Sequence, residues 1–356
     1  MPFFYDLDKS KPEDARTAER LLALDAKLSD EIPAKTLDDT LLLATWNIRE
    51  FDSPAYGKRR SEPYHYIAEI ISRFDIVAIQ EVRLETEPLD KLRGLLGRWW
   101  NYLVTDVTGG TKGNKERMAF FYDTRKVRFG GLAGEVLLPP LETRDANRKK
   151  VYTPVTQLAR TPYLVGFEAG WFKFMLSTVH IVYGTSKAED PEREKEIRQI
   201  AKTMAERAGQ KHAWAENIIL LGDFNIFDPD DVTFQALTDE GFTIPEALQQ
   251  VTNVGKKERY FDQIAFLTPK APADQLIKAG AFNFFDVVYR EQDEALYVDA
   301  MGKRYHENSK GEARDAAGKS SYFKTYWRTH QMSDHLPLWA ALKIDFGREY
   351  LEVVKG

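Results

Sequence analysis

The stretch Ile218-Ile219-Leu220-Leu221-Gly222-Asp223-Phe224-Asn225 decides how this chain is read. Four bulky apolar residues in a row fit a strand buried on both faces, as in sheets packed between layers. The Gly-Asp-Phe-Asn that follows marks where such a strand leaves the core. With an extended backbone, Asp223 and Asn225 share one face while Phe224 points inward. The alternative is an Asx-type turn before the Asp228-Pro229 bend.

Three further segments repeat the pattern: Leu41-Leu42-Leu43-Ala44-Thr45-Trp46-Asn47, Ile76-Val77-Ala78-Ile79-Gln80-Glu81, and Met332-Ser333-Asp334-His335-Leu336-Pro337-Leu338. Each joins apolar strand-like residues to an acid, an amide or a histidine, which is how a site is assembled from strand ends. Glu81 closes a buried run, so an ionised carboxylate there calls for a cation. Asn47 has the same geometry and adds an uncharged amide able to orient water, metal or a phosphate oxygen. Asp334-His335 interrupts an apolar strand, and Pro337 excludes a helix there.

His180 closes the run Phe174-Met175-Leu176-Ser177-Thr178-Val179, so two imidazoles stand at strand ends. One can activate water while the other protonates a leaving oxygen. Each needs a carboxylate to fix its tautomer; Glu116 and Asp262 are available, but spacing does not pair them. Arg49, Arg83 and Arg160 recur beside these acids, and a guanidinium matches phosphate oxygens bidentately. For each arginine singly, a local ion pair is the plainer reading. Together the motifs point to metal-assisted phosphoester hydrolysis.

Composition narrows the chemistry further. Among 356 residues there is no cysteine, so carboxylates, amides and six histidines must hold any metal, which favours a hard oxygen-ligated ion over zinc. A net charge of -5 argues against a strong counterion-release grip on nucleic acid, although 50 Lys and Arg can still concentrate on one face. No apolar run is long enough to span a membrane, no leader pattern follows Met1, and a cytoplasmic protein is the expectation.

Along the chain, residues 12–29 read as an N-terminal helix within an appendage covering 1–40. Buried strands alternate with amphipathic helices from Leu41 onward. Runs around Pro162–Phe167 and Trp171–Ile181 form a hairpin turned at Gly170. The core domain spans 41–345, with a charged and aromatic insertion near 283–330 close to the site and a tail over 346–356. The predicted class is α/β, a four-layer sandwich of two facing mixed sheets flanked by helices.

The set Asn47, Glu81, His180, Asp223, Asn225, Asp334 and His335, in that order, resembles the endonuclease/exonuclease/phosphatase superfamily, and its pancreatic-type deoxyribonuclease branch above all. The resemblance covers about Leu41 to Ile344. It implies Glu81 as a ligand of Mg²⁺ or Mn²⁺, with Asn47 and Asp334 in the same metal and water shell. It implies that Asp223 and Asn225 hold the phosphate or the attacking water. It pairs Glu116 with His180 and Asp262 with His335. It makes Arg49, Arg83 and Arg160 substrate-binding. Two departures stand out: Asn114 and Asp230 occupy positions where that branch keeps groove-facing tyrosines. The implied function is an endonuclease nicking DNA with little sequence specificity. The alternative is a phosphatase or phosphodiesterase for RNA, a lipid headgroup or a small phosphate ester, with no membrane partner.

Overall fold

The computed structural model describes residues 2–53, 59–109, 113–254, 259–269 and 275–355. Its strands run in chain order as β1 (Thr40–Phe51), β2 (Ile76–Val82), β3 (Trp100–Val104), β4 (Arg117–Asp123), β5 (Arg128–Glu135), β6 (Leu141–Arg144) and β7 (Lys150–Thr153). Then follow β8 (Tyr163–Ala169), β9 (Phe172–His180), β10 (Asn217–Asp223), β11 (Asp262–Leu267), β12 (Leu276–Ala281) and β13 (Leu338–Lys343). The helices that frame them include α1 (Pro12–Glu31), α2 (Ser61–Ser72), α3 (Glu87–Leu96), α4 (Pro191–Ala208) and α5 (Val232–Thr238).

The strands form a six-stranded sheet ordered β12-β13-β1-β2-β4-β3 and a five-stranded sheet ordered β11-β10-β9-β8-β5, with β6 and β7 as a separate exposed ribbon. Both large sheets mix senses: β1–β2 and β9–β10 are parallel, while β1–β13, β8–β9 and β10–β11 are antiparallel. Gly170, at φ 55°, makes the β8–β9 turn that the sequence predicts.

The apolar runs explain the layers. Strands β1, β2 and β10 are buried along nearly their whole length because each has a packed layer on both faces. One core lies between the sheets and continues to α4 and α5 through Ile197, Ile200, Met204, Phe234 and Leu237. The other lies between the six-stranded sheet and a layer of α1, α2, α3 and the segment 282–332. Four layers result. Leu24 and Leu28 of α1 are completely buried in that second core, so the helix is packed into the sandwich and does not stand off it.

The segment 283–330 is mostly helical, built of short α, 3₁₀ and π turns that bury Phe284, Tyr289, Tyr297 and Phe323. Its low periodicity in sequence has a physical cause: turns this short cannot repeat an apolar stripe. Between the sheets, Gln80 Nε2 donates to Thr45 Oγ1 on the neighbouring strand (3.0 Å) and to Thr178 Oγ1 on the opposite sheet (2.8 Å). Gln80 is fully buried, and this polar tie fixes how the sheets face each other beneath the strand ends.

Candidate active site

The strand ends of both sheets converge. Glu116, just before β4 of the six-stranded sheet, places Oε2 2.8 Å from Nδ1 of His180, which ends β9 of the five-stranded sheet. Conversely, Asp262 at the start of β11 lies 2.7 Å through Oδ2 from Nδ1 of His335, just before β13. Each imidazole–carboxylate pair therefore spans the two sheets. Asp223, the last residue of β10, receives both rings: its Oδ2 is 3.6 Å from His180 Nε2 and 3.9 Å from His335 Nε2. Asn47 Nδ2 donates to that same oxygen at 3.0 Å and to Glu81 Oε1 at 3.0 Å. Three of the predicted residues, Asn47, His180 and His335, thus meet around the carboxylate of a fourth, Asp223.

Local backbone geometry aims these groups. Glu50, Glu81, Asn114 and Asn225 all have positive φ, at 46°, 61°, 57° and 52°. For residues with a Cβ such conformations cost roughly 1–3 kcal/mol each, so the surrounding structure must enforce them. At Glu81 the β2–β4 register breaks between Ile79 and Val82, and the bulge turns the carboxylate out of the sheet. Its Oε2 accepts from Glu50 N at 2.6 Å. At Asn225 the chain leaves the extended form, so Asp223 and Asn225 do not share a strand face. Asn225 N donates to Asp223 Oδ1 (2.9 Å) as an Asx turn, and its Nδ2 donates to the Ile181 carbonyl (2.9 Å). The side-chain amide therefore braces the strand end.

The electrostatics follow from burial and charge. Burial lowers His335, but the Asp262 carboxylate outweighs it and pushes the imidazolium up to about 10. Burial and Arg160 lower His180 too, yet Glu116 and Asp223 leave it raised. Burial would raise Glu116; His180 and Arg160 override it and hold the acid well below the usual carboxylate range. Glu81 goes the other way, raised chiefly by desolvation, with Glu116 and Asp334 adding like charge against the pull of His180. An acid held in that state gains from a cation beside it.

The three arginines are engaged with protein groups. Arg160 donates through Nε to Glu116 Oε2 (2.7 Å) and through Nη2 to Oε1 (3.3 Å). Arg83 pairs with Glu50 and donates to the Asn114 carbonyl at 2.6 Å. Arg49 donates to Thr329 Oγ1 (2.5 Å) and lies 3.6 Å from Asp334 Oδ2. Asp334 is about 40% exposed and held by that arginine, so it sits at the rim of the site.

Several bracing residues carry no signal that spacing could reveal. Ser333 Oγ donates to the Asn47 carbonyl (2.6 Å) and accepts from the backbone N of His335 (3.0 Å) and Arg49 (3.2 Å). Asn253 grips the backbone of Asp262, donating to its carbonyl and accepting from its N–H. Glu196 on α4 accepts from Ala159 N and Val182 N, fixing the chain next to Arg160 and just beyond His180. Asn114 Nδ2 donates to Glu116 Oε1 at 2.8 Å, so the residue at one position of departure orients the acid of the His180 pair.

A metal ion fits the Glu81–Asn47 corner. Asn47 Oδ1 is buried with no hydrogen-bond partner, beside a desolvated carboxylate. Among the described residues no group of three or more His, Asp or Glu forms a ready cage. One carboxylate and one amide oxygen, completed by water, suit a hard octahedral ion.

This sandwich, with strand-end carboxylates and two oriented imidazoles, is the architecture of a phosphoesterase. Residues 44–335 match the Endonuclease/Exonuclease/phosphatase family, and the chain belongs to that family. Family members generally use divalent metals. A protein named Deoxyribonuclease from Thioalkalivibrio sp. (strain K90mix) is 30% identical over 205 residues, covering 55% of this chain and 48% of that protein. The chain thus spans about half the length of this curated relative. Two solved structures share the fold over most of their length. Mannosyl-6-phosphatase Bt3783 of Bacteroides thetaiotaomicron VPI-5482 has a TM-score of 0.52 at 18% identity, with 85% of this chain and 99% of that one covered. D. rerio TDP2 complexed with single strand DNA product has a TM-score of 0.52 at 14% identity, covering 86% and 99%. No helix among the described residues is long and apolar enough to cross a membrane.

Proposed function

We propose that the chain is a divalent-metal-dependent phosphodiesterase that acts on DNA, nicking it with little sequence specificity. The observation that carries this reading is the convergence of Asn47, His180 and His335 on a single oxygen, Asp223 Oδ2. Glu81 and Asn47 Oδ1 are the groups to hold Mg²⁺ or Mn²⁺, which when bound would neutralise charge growing on the phosphate oxygens. Asp223 Oδ2 orients the attacking water and accepts its proton. His180 sits between Glu116 and Asp223, and His335 between Asp262 and Asp223; flanking carboxylates favour the doubly protonated ring. Each Nε2 then presents an N–H, one toward a non-bridging oxygen and one toward the leaving oxygen. Ser333 and Asn253 keep the His335 pair in register, and Asn225 holds the Asp223 turn. The relative named Deoxyribonuclease supports DNA as substrate.

A second reading keeps the chemistry and exchanges the substrate for RNA, a lipid headgroup or a small phosphate ester. It draws on Arg83 and Arg160, which are tied to Glu50 and Glu116 where an outward grip on a long backbone would leave them free. Supercoiled plasmid incubated with purified protein and Mg²⁺, with a chelator control and the His180→Ala and Asp223→Ala variants, separates the two. Relaxation that needs the metal and both side chains supports nicking. Intact plasmid alongside hydrolysis of a generic phosphodiester supports the second reading, and inertness toward both refutes a phosphodiesterase.

A further inference from the structure

Arg59, just ahead of α2, is a buried arginine outside the catalytic set. Its guanidinium makes no close carboxylate pair: among the described residues its one ion-pair partner is Asp52, 4.0 Å from Nη1. It turns instead to the backbone. Nε donates to the Gln331 carbonyl at 2.7 Å, and Nη2 donates to the carbonyls of Arg49 at 3.1 Å and Met332 at 3.3 Å. A guanidinium that gives up its hydration to grip three carbonyls with a rigid fork points to a need for those carbonyls to stay in place.

The Arg49 carbonyl matters most because of the amide it shares. The Arg49–Glu50 peptide presents its oxygen to Arg59 and, on its opposite edge, its N–H to Glu81 Oε2 at 2.6 Å. A planar trans peptide held at both edges cannot rotate without breaking one of the two bonds. A charged donor on the oxygen also polarises the N–H opposite, which strengthens its bond to Glu81. The chain here needs such a hold: Glu50 has a φ of 46° and Glu81 a φ of 61°, conformations that persist only where the surroundings enforce them. Asn47 Nδ2 donates to the other oxygen of Glu81, Oε1, at 3.0 Å. The plane of the Glu81 carboxylate is thus set by one donor on each oxygen, and Arg59 secures the donor that comes from the backbone.

We infer that Arg59 is a positioning residue for the metal site. Through the Arg49–Glu50 peptide it aims Glu81 at the ion, and through the Gln331 and Met332 carbonyls it ties that corner to the segment that carries Asp334 and His335. The inference rests on the reading of Glu81 and Asn47 as the groups that hold Mg²⁺ or Mn²⁺. Arg59 acts on the orientation of the ligand and not on the ion, so its substitution reads out first as weaker metal binding.

The test is binding of the metal alone. Mn²⁺ is titrated into the metal-free full chain and the free ion is read from its electron paramagnetic resonance signal, for the parent, Arg59→Met, Arg59→Lys, Glu81→Gln and Asp123→Asn. Loss of a residue that orients a metal ligand weakens binding by about 10–100-fold, and Arg59→Met is expected to fall in that range. Arg59→Lys keeps the charge but not the fork, so it is expected to recover part of the loss. If Arg59→Met does not fold, weaker Mn²⁺ binding by Arg59→Lys than by the parent carries the expectation. Asp123→Asn, destabilised at the far end of the sheet, is expected to bind as the parent does, and Glu81→Gln to lose binding. Parental affinity in every Arg59 variant that folds, or an equal loss in Asp123→Asn, overturns the positioning role while the Glu81→Gln result still locates the ion. No Mn²⁺ uptake by the parent, or parental uptake by Glu81→Gln, overturns the metal reading and this inference with it.

Discussion

Gly222 is where fold and chemistry depend on one missing atom. It sits on β10 at φ 131°, immediately before Asp223. A Cβ built there meets the Val179 carbonyl oxygen at 2.1 Å, the Val179 nitrogen at 2.8 Å and the Val179 carbonyl carbon at 3.0 Å. All three are backbone atoms of β9, the parallel neighbour whose next residue is His180, so no rotamer change relieves the contact. Strands β9 and β10 must separate locally by more than about 1 Å for van der Waals distance to be restored. Gly222→Ala then carries a conformational cost of about 1–3 kcal/mol for the unfavourable φ. Overpacking adds a similar amount, about 1–3 kcal/mol. A total of about 2–6 kcal/mol is a large part of a typical domain's stability. Because the opening parts Asp223 from His180, molecules that still fold are expected to lose activity by about a hundredfold, the usual effect of a 1 Å misplacement. Urea unfolding followed by circular dichroism reads the first quantity, and nicking or diester turnover on the folded fraction reads the second. Gly134→Ala is the control, since a Cβ there meets nothing within 4 Å. An unfolding midpoint for Gly222→Ala equal to that of Gly134→Ala, with activity retained, would refute the reasoning.

Asp123 offers a pH test at the opposite end of the sheet. Burial would raise it, but hydrogen bonds from Arg125 and Lys35 bring it down to about 2. A depressed folded value stabilises the protein fully at pH well above 4, and that contribution fades as pH falls from 4 toward 2. Asp123→Asn is expected to cost about 2 kcal/mol at pH 7, with a gap to the parent that narrows below pH 4; a pH-independent gap in urea melts counts against the linkage. Gln80→Leu should destabilise by about 1–3 kcal/mol, because the hydroxyl of Thr178 loses its tie to the opposite sheet. Adding Thr178→Val to Gln80→Leu should recover part of the loss, and a double variant no more stable than the single would show that the hydroxyl found another partner.

Three of the four apolar runs made their strands legible, because burial on both faces leaves a local mark in composition; the fourth misplaced its strand, since Asp334 and His335 lie in the turn before β13, which begins only at Leu338. Strand β10 and the hairpin at Gly170 lie where that pattern and the turn residue place them. The identities of the polar residues at the strand ends were equally plain. Their mutual positions were not. Asn225 read as a partner for Asp223 on one face only if the backbone stayed extended, and its φ of 52° converts it into a brace. For each arginine singly a local ion pair was the plainer reading, yet the partners Asn114 of Arg83 and Glu116 of Arg160 lie 31 and 44 positions away in sequence. Ser333, Asn253 and Glu196 had no visible role at all.

What the sequence determined by itself is the alternation of buried strand and covering helix and the chemical type of each group at a strand end. Both depend on which face of a short segment is apolar. What the spacing of residues left open, and only a family resemblance named for Glu116 with His180 and Asp262 with His335, is pairing; the packed sheets bring those groups together, and Asn47 with Asp223, each pair linking one sheet to the other. Those pairs depend on the angle and register at which two sheets pack, a property of the whole core that the local rhythm of residues does not encode.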